Sequence, residues 1–482
     1  MGTDLDKVMN RDSCFKYPII NAQTQTRLLR LSPDHTTNRY MSYSLEIFDL
    51  SNLHSTEYAA LSYTWGHATS IEDIYEISIN EQPFFVRRNL FDFLTTAAGK
   101  GVSGLFFVDA ICINQLDSTE RLSQVREMAR VYRNANKVVS WLGIPETIQD
   151  LANVRILAQT RDKMSCGHWS GQQWDGFKYL SYHPYWSRVW IVQEVLLARS
   201  VEVWCWFFIF PLTLFAGVIS PNFQLPEVRL SGDGRPRTVI NAISRSCSPA
   251  EKIITHRARH VFRPIADPLA QGTAVGTLEE MTTGLMRPYM VTETYQSHTP
   301  DLIHEVIQKF GMLECSDPRD KLYGFLGVLR DSTRAKVNPN YAMPVSYAFR
   351  QALKIGLEET GGEYWFGMYS RSREHVYSIW LAYYCDVRDA FNMEDSESMA
   401  ILQEVVAELR SEARMTEPMV EELWRRSFVS LDYEDFEIFP DFEKLLQVAA
   451  PVADEKNRLR ESLLRRSKAF EKLRRRKLLP HK

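Results

Sequence analysis

The chain has 482 residues, of which 45% are hydrophobic and 24% are charged, the values of an ordinary globular protein. This length predicts two or three domains. The net charge of −3 gives no reason to expect a nucleic acid or an anionic lipid as partner. The seven cysteines are scattered without a Cys-x-x-Cys pair. They favour a reducing, cytoplasmic location and argue against a disulfide framework or a metal site.

The N-terminal part of the chain is rich in strand patterns. Residues 1–16 are polar and acidic, and we expect a disordered lead without a secretory signal. Apolar and polar residues then alternate over 17–31 and 43–50, as is typical of strands. A buried strand is predicted at 58–63 and a hairpin over 76–86, followed by a helix with Asn89 as its candidate N-cap.

The stretch 105–143 predicts a strand, a helix and a second strand. Four apolar residues at 105–108 form the first buried strand, and Asp109 stands at its carboxyl end. Asp117 is the predicted N-cap of the helix, with Glu120 three residues later. Such a βαβ unit implies a parallel sheet, in which ligands bind beyond the carboxyl ends of the strands. Asp109 is therefore a candidate binding residue.

A strand is predicted at 201–205, after a mainly helical region. An uncharged run at 203–219 begins within this strand. The run is close to the shortest length that spans a bilayer. Pro211 interrupts it, Glu202 borders it, and no Lys/Arg cluster flanks it directly. We therefore favour a buried strand followed by a packed apolar loop or helix over a membrane span.

The predicted domain organisation continues beyond this run. Residues 206–300 contain the apolar run and a variable linker or insertion rich in Pro, Gly, Arg and Thr. A mainly helical C-terminal region is predicted over 301–455. Residues 456–482 have the pattern of a basic amphipathic terminal helix.

Three blocks carry a family resemblance: YAALSYTWG at 58–66, VDAICINQ within 108–115, and RVWIVQEVLLA at 188–198. In this order they resemble the fungal heterokaryon-incompatibility (HET) domain, and the resemblance covers 17–205. The HET domain in turn resembles, more distantly, the TIR domain. The resemblance implies an α/β fold with a parallel sheet flanked by helices, followed here by the mainly helical C-terminal region.

Glu194 is the candidate catalytic residue. It lies four residues after Trp190, so both belong to one face of the predicted helix, which we expect to begin at Pro184. A buried, unpaired carboxylate costs several kcal/mol, so Glu194 must face a pocket or a partner such as Arg188 or Arg199. Some TIR domains cleave NAD with a glutamate on a helix downstream of a Trp. The resemblance places that glutamate at Glu194.

The candidate NAD-binding residues surround the strand ends. Trp65 offers a flat surface for a base, and Gly66 permits close approach of the backbone. Each has a structural alternative: Asp109 as a turn acceptor and Trp65 as a core anchor. NAD is expected as a substrate rather than a permanently bound cofactor, and no histidine spacing indicates a metal. The full binding set is Ser62, Trp65, Gly66, Asp109, Arg188 and Trp190.

Two functions remain open from the sequence. The first is an enzyme that breaks the nicotinamide–ribose bond of NAD in a TIR-like manner. The second is a non-enzymatic signalling module that self-associates and recruits a death effector. Both agree with the role that the resemblance implies, programmed cell death when incompatible fungal cells fuse. We expect the triggering signal to come through self-association or from a separate sensor protein, and we expect no membrane partner.

Overall fold

A computed structural model describes residues 10, 15–33, 41–66, 68–160, 169–219, 248–261, 301–361 and 383–412. The predicted basic helix at 456–482 lies outside these residues, as do most of the lead at 1–16 and most of the predicted segment at 206–300. The chain divides into two compact units. The first comprises Met1–Asp301 and Met312–Ala342, and the second comprises Leu302–Gly311 and Met343–Lys482. Residues 312–342, predicted to belong to the C-terminal region, thus group with the first unit.

The first unit is built on a sheet of nine strands in the order β5-β4-β2-β1-β6-β3-β7-β8-β9. The strands are β1 (Gln25–Pro33), β2 (Met41–Asp49), β3 (Tyr58–Tyr63), β4 (Ile74–Ile79), β5 (Gln82–Arg87), β6 (Gly104–Phe107), β7 (Lys137–Trp141), β8 (Val201–Cys205) and β9 (Phe208–Pro211).

The prediction of a parallel sheet is only partly correct. The four central strands β6, β3, β7 and β8 are parallel. On either side of them, β1 pairs antiparallel with β2 and β6, β4 with β5, and β8 with β9. For the β4–β5 and β8–β9 pairs the physical reason is the short connection, because a short turn returns the chain antiparallel whereas a parallel pair needs a long crossover. The β4–β5 turn has positive φ at Asn80 (50°) and Glu81 (61°), as a two-residue hairpin turn requires.

Helices flank this sheet. Those of the first unit are α1 (Arg88–Gly99), α2 (Asp109–Cys112), α3 (Ser118–Asn134), α4 (Ile148–Thr160), α5 (Gly171–Ser181), α6 (Ile191–Leu196), α7 (Leu212–Ile219), α8 (Pro249–Val261), α9 (Asp320–Tyr323) and α10 (Asp331–Arg334). In the second unit the described helices are Ile303–Phe310, Val345–Gly361, 383–391 and Asp395–Ser411, which confirms a mainly helical C-terminal region.

The βαβ unit forms as predicted from β6, α3 and β7, with β3 lying between its two strands. Asp117 caps α3, because its side chain accepts hydrogen bonds from the backbone N–H groups of Thr119 and Glu120. The side chain of Glu120 does not turn back to this cap. Instead it binds the buried guanidinium of Arg27 at 2.7 and 2.9 Å, joining α3 to β1.

Two helix starts differ from the prediction. The N-cap of α1 is Arg87, and Asn89 lies inside the helix. The Asn89 amide instead donates to the Thr64 carbonyl at 2.6 Å and accepts from the Trp141 indole at 2.9 Å, so it bridges two strand ends. Pro184 begins only a short 3₁₀ helix, and α6 starts separately at Ile191.

The apolar run at 203–219 folds into the end of β8, the strand β9 and the helix α7. This is the buried strand and packed apolar helix that we predicted. Phe210, Leu212 and Phe215 are fully buried within the first unit. Trp206 turns the β8–β9 hairpin with a φ of +49°, an uncommon value for a bulky residue. In the described part of the chain, no helix is both long and apolar enough to cross a membrane.

Candidate functional site

The carboxyl ends of β3 and β6 meet at one edge of the sheet. The two strands are parallel neighbours, with Ala60 opposite Phe107. Ser62 lies in β3, two residues beyond that pair, and Asp109 begins α2 directly after β6. The prediction that Asp109 and the 62–66 loop follow adjacent strands is therefore confirmed.

Glu194 is buried in α6, with 3% of its surface exposed. Its Oε2 accepts a hydrogen bond from the hydroxyl of Ser62. The Ser62 hydroxyl is also 2.5 Å from that of Tyr185, and the Tyr185 hydroxyl is 2.9 Å from that of Ser140. Ser62 and Ser140 are paired across β3 and β7, so one buried chain of hydroxyls runs over two strands to the carboxyl of Glu194.

Arg188 is close enough to act on Glu194 electrostatically but forms no ion pair with it. Its guanidinium donates to the carbonyl of Tyr63 at the end of β3. No ion pair of Glu194 within 4.0 Å occurs among the described residues, which removes the predicted alternative of a salt bridge to Arg188 or Arg199. Burial raises the pKa of Glu194 to about 7, and the positive charge of Arg188 and the Ser62 hydrogen bond limit that rise.

Trp65 and Asp109 form a second pair beside this cluster. The indole N–H of Trp65 donates to Asp109 Oδ2 at 2.9 Å, and Asp109 Oδ1 accepts from the backbone of Ala110 at 2.8 Å. Burial raises the pKa of Asp109, whereas the Trp65 hydrogen bond and the charge of Arg188 lower it. Gly66 adopts a φ of +75°, which favours glycine.

Trp190 is directed to a different place. Its indole N–H donates to Asp320 Oδ2 at 3.0 Å, and the hydroxyl of Tyr341 donates to the other carboxylate oxygen at 2.7 Å. Burial raises the pKa of Asp320 to about 6, against these two hydrogen bonds. The predicted site residues therefore fall into three groups: Ser62 with Glu194 and Arg188, Trp65 and Gly66 with Asp109, and Trp190 with Asp320.

An open cleft lies beside the first two groups. Both strand-end segments line it, through Tyr63 and Trp65 on one side and Ala110 and Gln115 on the other. Among the described residues, its lining includes neither Ser62 nor Glu194. The guanidinium of Arg87 lies 5.5 Å from the centre of the Trp65 ring. The rest of the lining is Asn10, Phe15, Tyr17, Phe84, Phe85, Val86, Arg87, Leu90, Asn114 and Leu116.

The sequence interpretation missed several residues of the site. Tyr185 and Ser140 complete the hydroxyl chain, yet the only signal for Tyr185 was its place just before the 188–198 block. Arg257 of α8 is fully buried and donates to the carbonyls of Val195 and Ala198 at 2.6 and 2.8 Å, so it binds the carboxyl-terminal end of the helix that carries Glu194. No local pattern marks it, because it comes from the region predicted as a linker.

Comparison with known protein families identifies one domain of the chain. The heterokaryon incompatibility protein (HET) family matches residues 58–194, from the first residue of β3 to Glu194 itself. The chain carries a HET domain. In the described residues of this HET domain and beyond it, no group of three or more His, Cys, Asp or Glu side chains is arranged to hold a metal ion.

The HET domain also has a relative in Neurospora crassa. Heterokaryon incompatibility protein 6, OR allele, is 30% identical over 154 residues. This match covers 29% of the present chain and 22% of the relative, so the chain spans less than a quarter of that protein's length. No solved structure matches the chain.

Proposed function

We propose that the HET domain of this chain acts in fungal non-self recognition and cell death by cleaving the nicotinamide–ribose bond of NAD. The relative from Neurospora crassa, a heterokaryon incompatibility protein, supports the biological role. The TIR-like resemblance of the sequence supports the chemistry, with Glu194 as the catalytic carboxylate.

The position of Glu194 carries this proposal. Its carboxyl accepts a hydrogen bond from the hydroxyl of Ser62. The next residue, Tyr63, lines the cleft. The cleft lies beyond the carboxyl ends of parallel strands, the usual place for a ligand in such sheets. Trp65 and Asp109 stand at the same edge. We place the nucleotide in the cleft and its nicotinamide-bearing ribose next to the wall formed by Tyr63 and Trp65.

The reaction breaks the C–N bond between ribose and nicotinamide. The bonding electron pair leaves with nicotinamide, which becomes neutral, and the ribosyl carbon becomes an oxocarbenium-like cation. Water adds to that carbon and loses a proton, which gives ADP-ribose. An ionised Glu194 stabilises the developing cation electrostatically. This interaction is strong because the charge is held in place and water is excluded from its surroundings. Asp109 and Trp65 hold the nucleotide in this scheme.

A second function is a signalling module without enzymatic activity. The observation in its favour is that Glu194 is 3% exposed and already bonded to Ser62, while the cleft lining is formed by other side chains. In that case the carboxyl supports the fold, and the domain acts by associating with a second copy or with a sensor protein.

Loss of NAD on incubation with the purified protein separates the two functions. We expect wild-type protein to consume NAD and Glu194→Gln to lose about a hundredfold or more in turnover, because only the charge is removed. Glu202→Gln is the matched control, since Glu202 is a partly exposed carboxylate of β8 paired with Lys137. A wild type that leaves NAD intact, or a Glu202→Gln variant that loses as much turnover as Glu194→Gln, would refute the catalytic function.

A further inference from the structure

The hydroxyl groups of Ser62, Tyr185 and Ser140 form a chain of hydrogen bonds that ends at the carboxyl of Glu194. Its three links join Glu194 to Ser62, Ser62 to Tyr185 and Tyr185 to Ser140. All four residues are buried, with at most 3% of any one exposed. Each hydroxyl can donate only one hydrogen bond. The direction in which those bonds run therefore depends on whether Glu194 holds a proton.

We propose that Tyr185 is a positioning residue for Glu194, and that Ser62, Tyr185 and Ser140 reverse their hydrogen bonds when the carboxyl gains or loses its proton. With Glu194 neutral, the carboxyl donates to Ser62, Ser62 to Tyr185, and Tyr185 to Ser140. With Glu194 ionised, Ser62 donates to the carboxylate and the proton of Tyr185 turns from Ser140 to Ser62. This inference rests on the proposed function in one respect, because NAD cleavage would use the negative charge of Glu194 that the hydroxyl chain stabilises.

Other charged and titratable groups also act on Glu194 and define the background of the test. Arg188 favours the ionised form, and Asp109 opposes it. Tyr132 of α3 lies in the same electrostatic environment, and its hydroxyl donates to the carbonyl of Leu61. These groups stay unchanged when one hydroxyl of the chain is removed. A change in the titration midpoint of Glu194 then reports on the hydrogen bonds of the hydroxyl chain.

The two ends of the chain have opposite effects on the acidity of Glu194. Ser62 donates to the ionised carboxylate, and a hydrogen bond to a charged group is stronger than one between neutral groups. Removing its hydroxyl therefore disfavours the charge. Ser140 accepts from Tyr185 only when Glu194 is neutral, so its removal disfavours the neutral form. A residue that merely fills space does not produce this difference in sign.

The test is a pH titration of the Glu194 carboxyl by infrared difference spectroscopy on the full chain. The C=O band of neutral Glu194 is assigned by its absence in Glu194→Gln. We expect Ser62→Ala to move the midpoint up by about one pH unit, a tenfold change in the acid dissociation constant. Tyr185→Phe should move it up by less, and Ser140→Ala should move it down.

Tyr58→Phe is the matched control, because Tyr58 is a buried residue of β3 whose hydroxyl donates to the Val131 carbonyl. It should leave the midpoint in place. If Tyr185→Phe does not fold, the opposite shifts of Ser62→Ala and Ser140→Ala decide alone. Shifts of the same sign, or no shift in both serine variants, would overturn the inference. NAD loss is measured on the same samples, so opposite shifts in a protein that leaves NAD intact would refute the proposed function while the hydroxyl chain stands.

Discussion

The indole N–H of Trp65 donates to Asp109 Oδ2 over 2.9 Å and joins the segments that follow two neighbouring strands. The two residues are 44 positions apart in the chain, and the parallel pairing of β3 and β6 brings them together. Each belongs to one of the sequence blocks that carry the family resemblance. The pair fixes the edge of the sheet where we place the substrate.

Trp65→Phe keeps an aromatic ring at this edge but removes the donor to Asp109. We expect the free energy of unfolding to fall by roughly 1–2 kcal/mol, because a half-buried carboxylate loses one of its hydrogen bonds. Urea denaturation measures the change. Trp206→Phe is the control, since no indole hydrogen bond of Trp206 occurs in the described part of the chain. Equal losses in the two variants would show that the Trp65–Asp109 bond does not stabilise the fold.

Glu194→Gln should change the dependence of stability on pH. The folded protein holds the proton of Glu194 more tightly than the unfolded chain, because burial raises its pKa from 4.5 to about 7. This contribution to stability is complete below pH 4.5 and is lost as the pH rises through about 7. The loss amounts to about 3 kcal/mol in the wild type. The Gln variant has no such titration.

Urea denaturation of both proteins at pH 5 and pH 8 measures this difference. Wild type should lose more stability than Glu194→Gln between the two values, because the other titrating groups are common to both proteins. If the two proteins lose the same amount, Glu194 does not titrate in this range and the carboxyl lies in a more polar environment than the structure gives it.

Gly327 tests whether residues 312–342 are an integral part of the first unit. A Cβ at this position would lie 2.7 Å from Ala129 Cβ and 2.8 Å from Leu197 Cδ1, closer than packed carbon atoms approach. We expect Gly327→Ala to lower the free energy of unfolding by about 1–3 kcal/mol through overpacking. Gly171→Ala is the control, because a Cβ there meets nothing within 4 Å. A Gly327 variant as stable as the control would show that this segment packs loosely.

Local rules predicted the parts of the fold that depend on neighbours in sequence. The cap at Asp117 follows from its side chain and the helix directly after it. The adjacent positions of Ser62 and Asp109 follow from buried strands and a long crossover. The β8–β9 hairpin was not predicted, because a bulky Trp206 in the left-handed region is not what a turn normally selects.

Contacts between distant parts of the chain could not be predicted in this way. Trp190 was placed with Glu194 by helical spacing, yet its indole binds Asp320, 130 residues later. Asn89 has the side chain of an N-cap but bridges Thr64 and Trp141, because the strand ends offer it better partners. The antiparallel β1–β6 pair likewise joins residues 29–31 to 104–106, which no local pattern specifies.

Nicotinamide release from NAD as a function of pH tests the catalytic role of Glu194 most directly. In the proposed reaction the ionised form of Glu194 is the active one, and burial raises the pKa of this carboxyl to about 7. We expect kcat/KM of the wild type to rise with pH to a plateau, with a midpoint near pH 7. We expect Glu194→Gln to fold but to lack this rise and to release nicotinamide about a hundredfold more slowly at the plateau. A wild type that releases no nicotinamide at any pH, or a Glu194→Gln protein that retains the wild-type profile, would show that Glu194 is not the catalytic carboxylate.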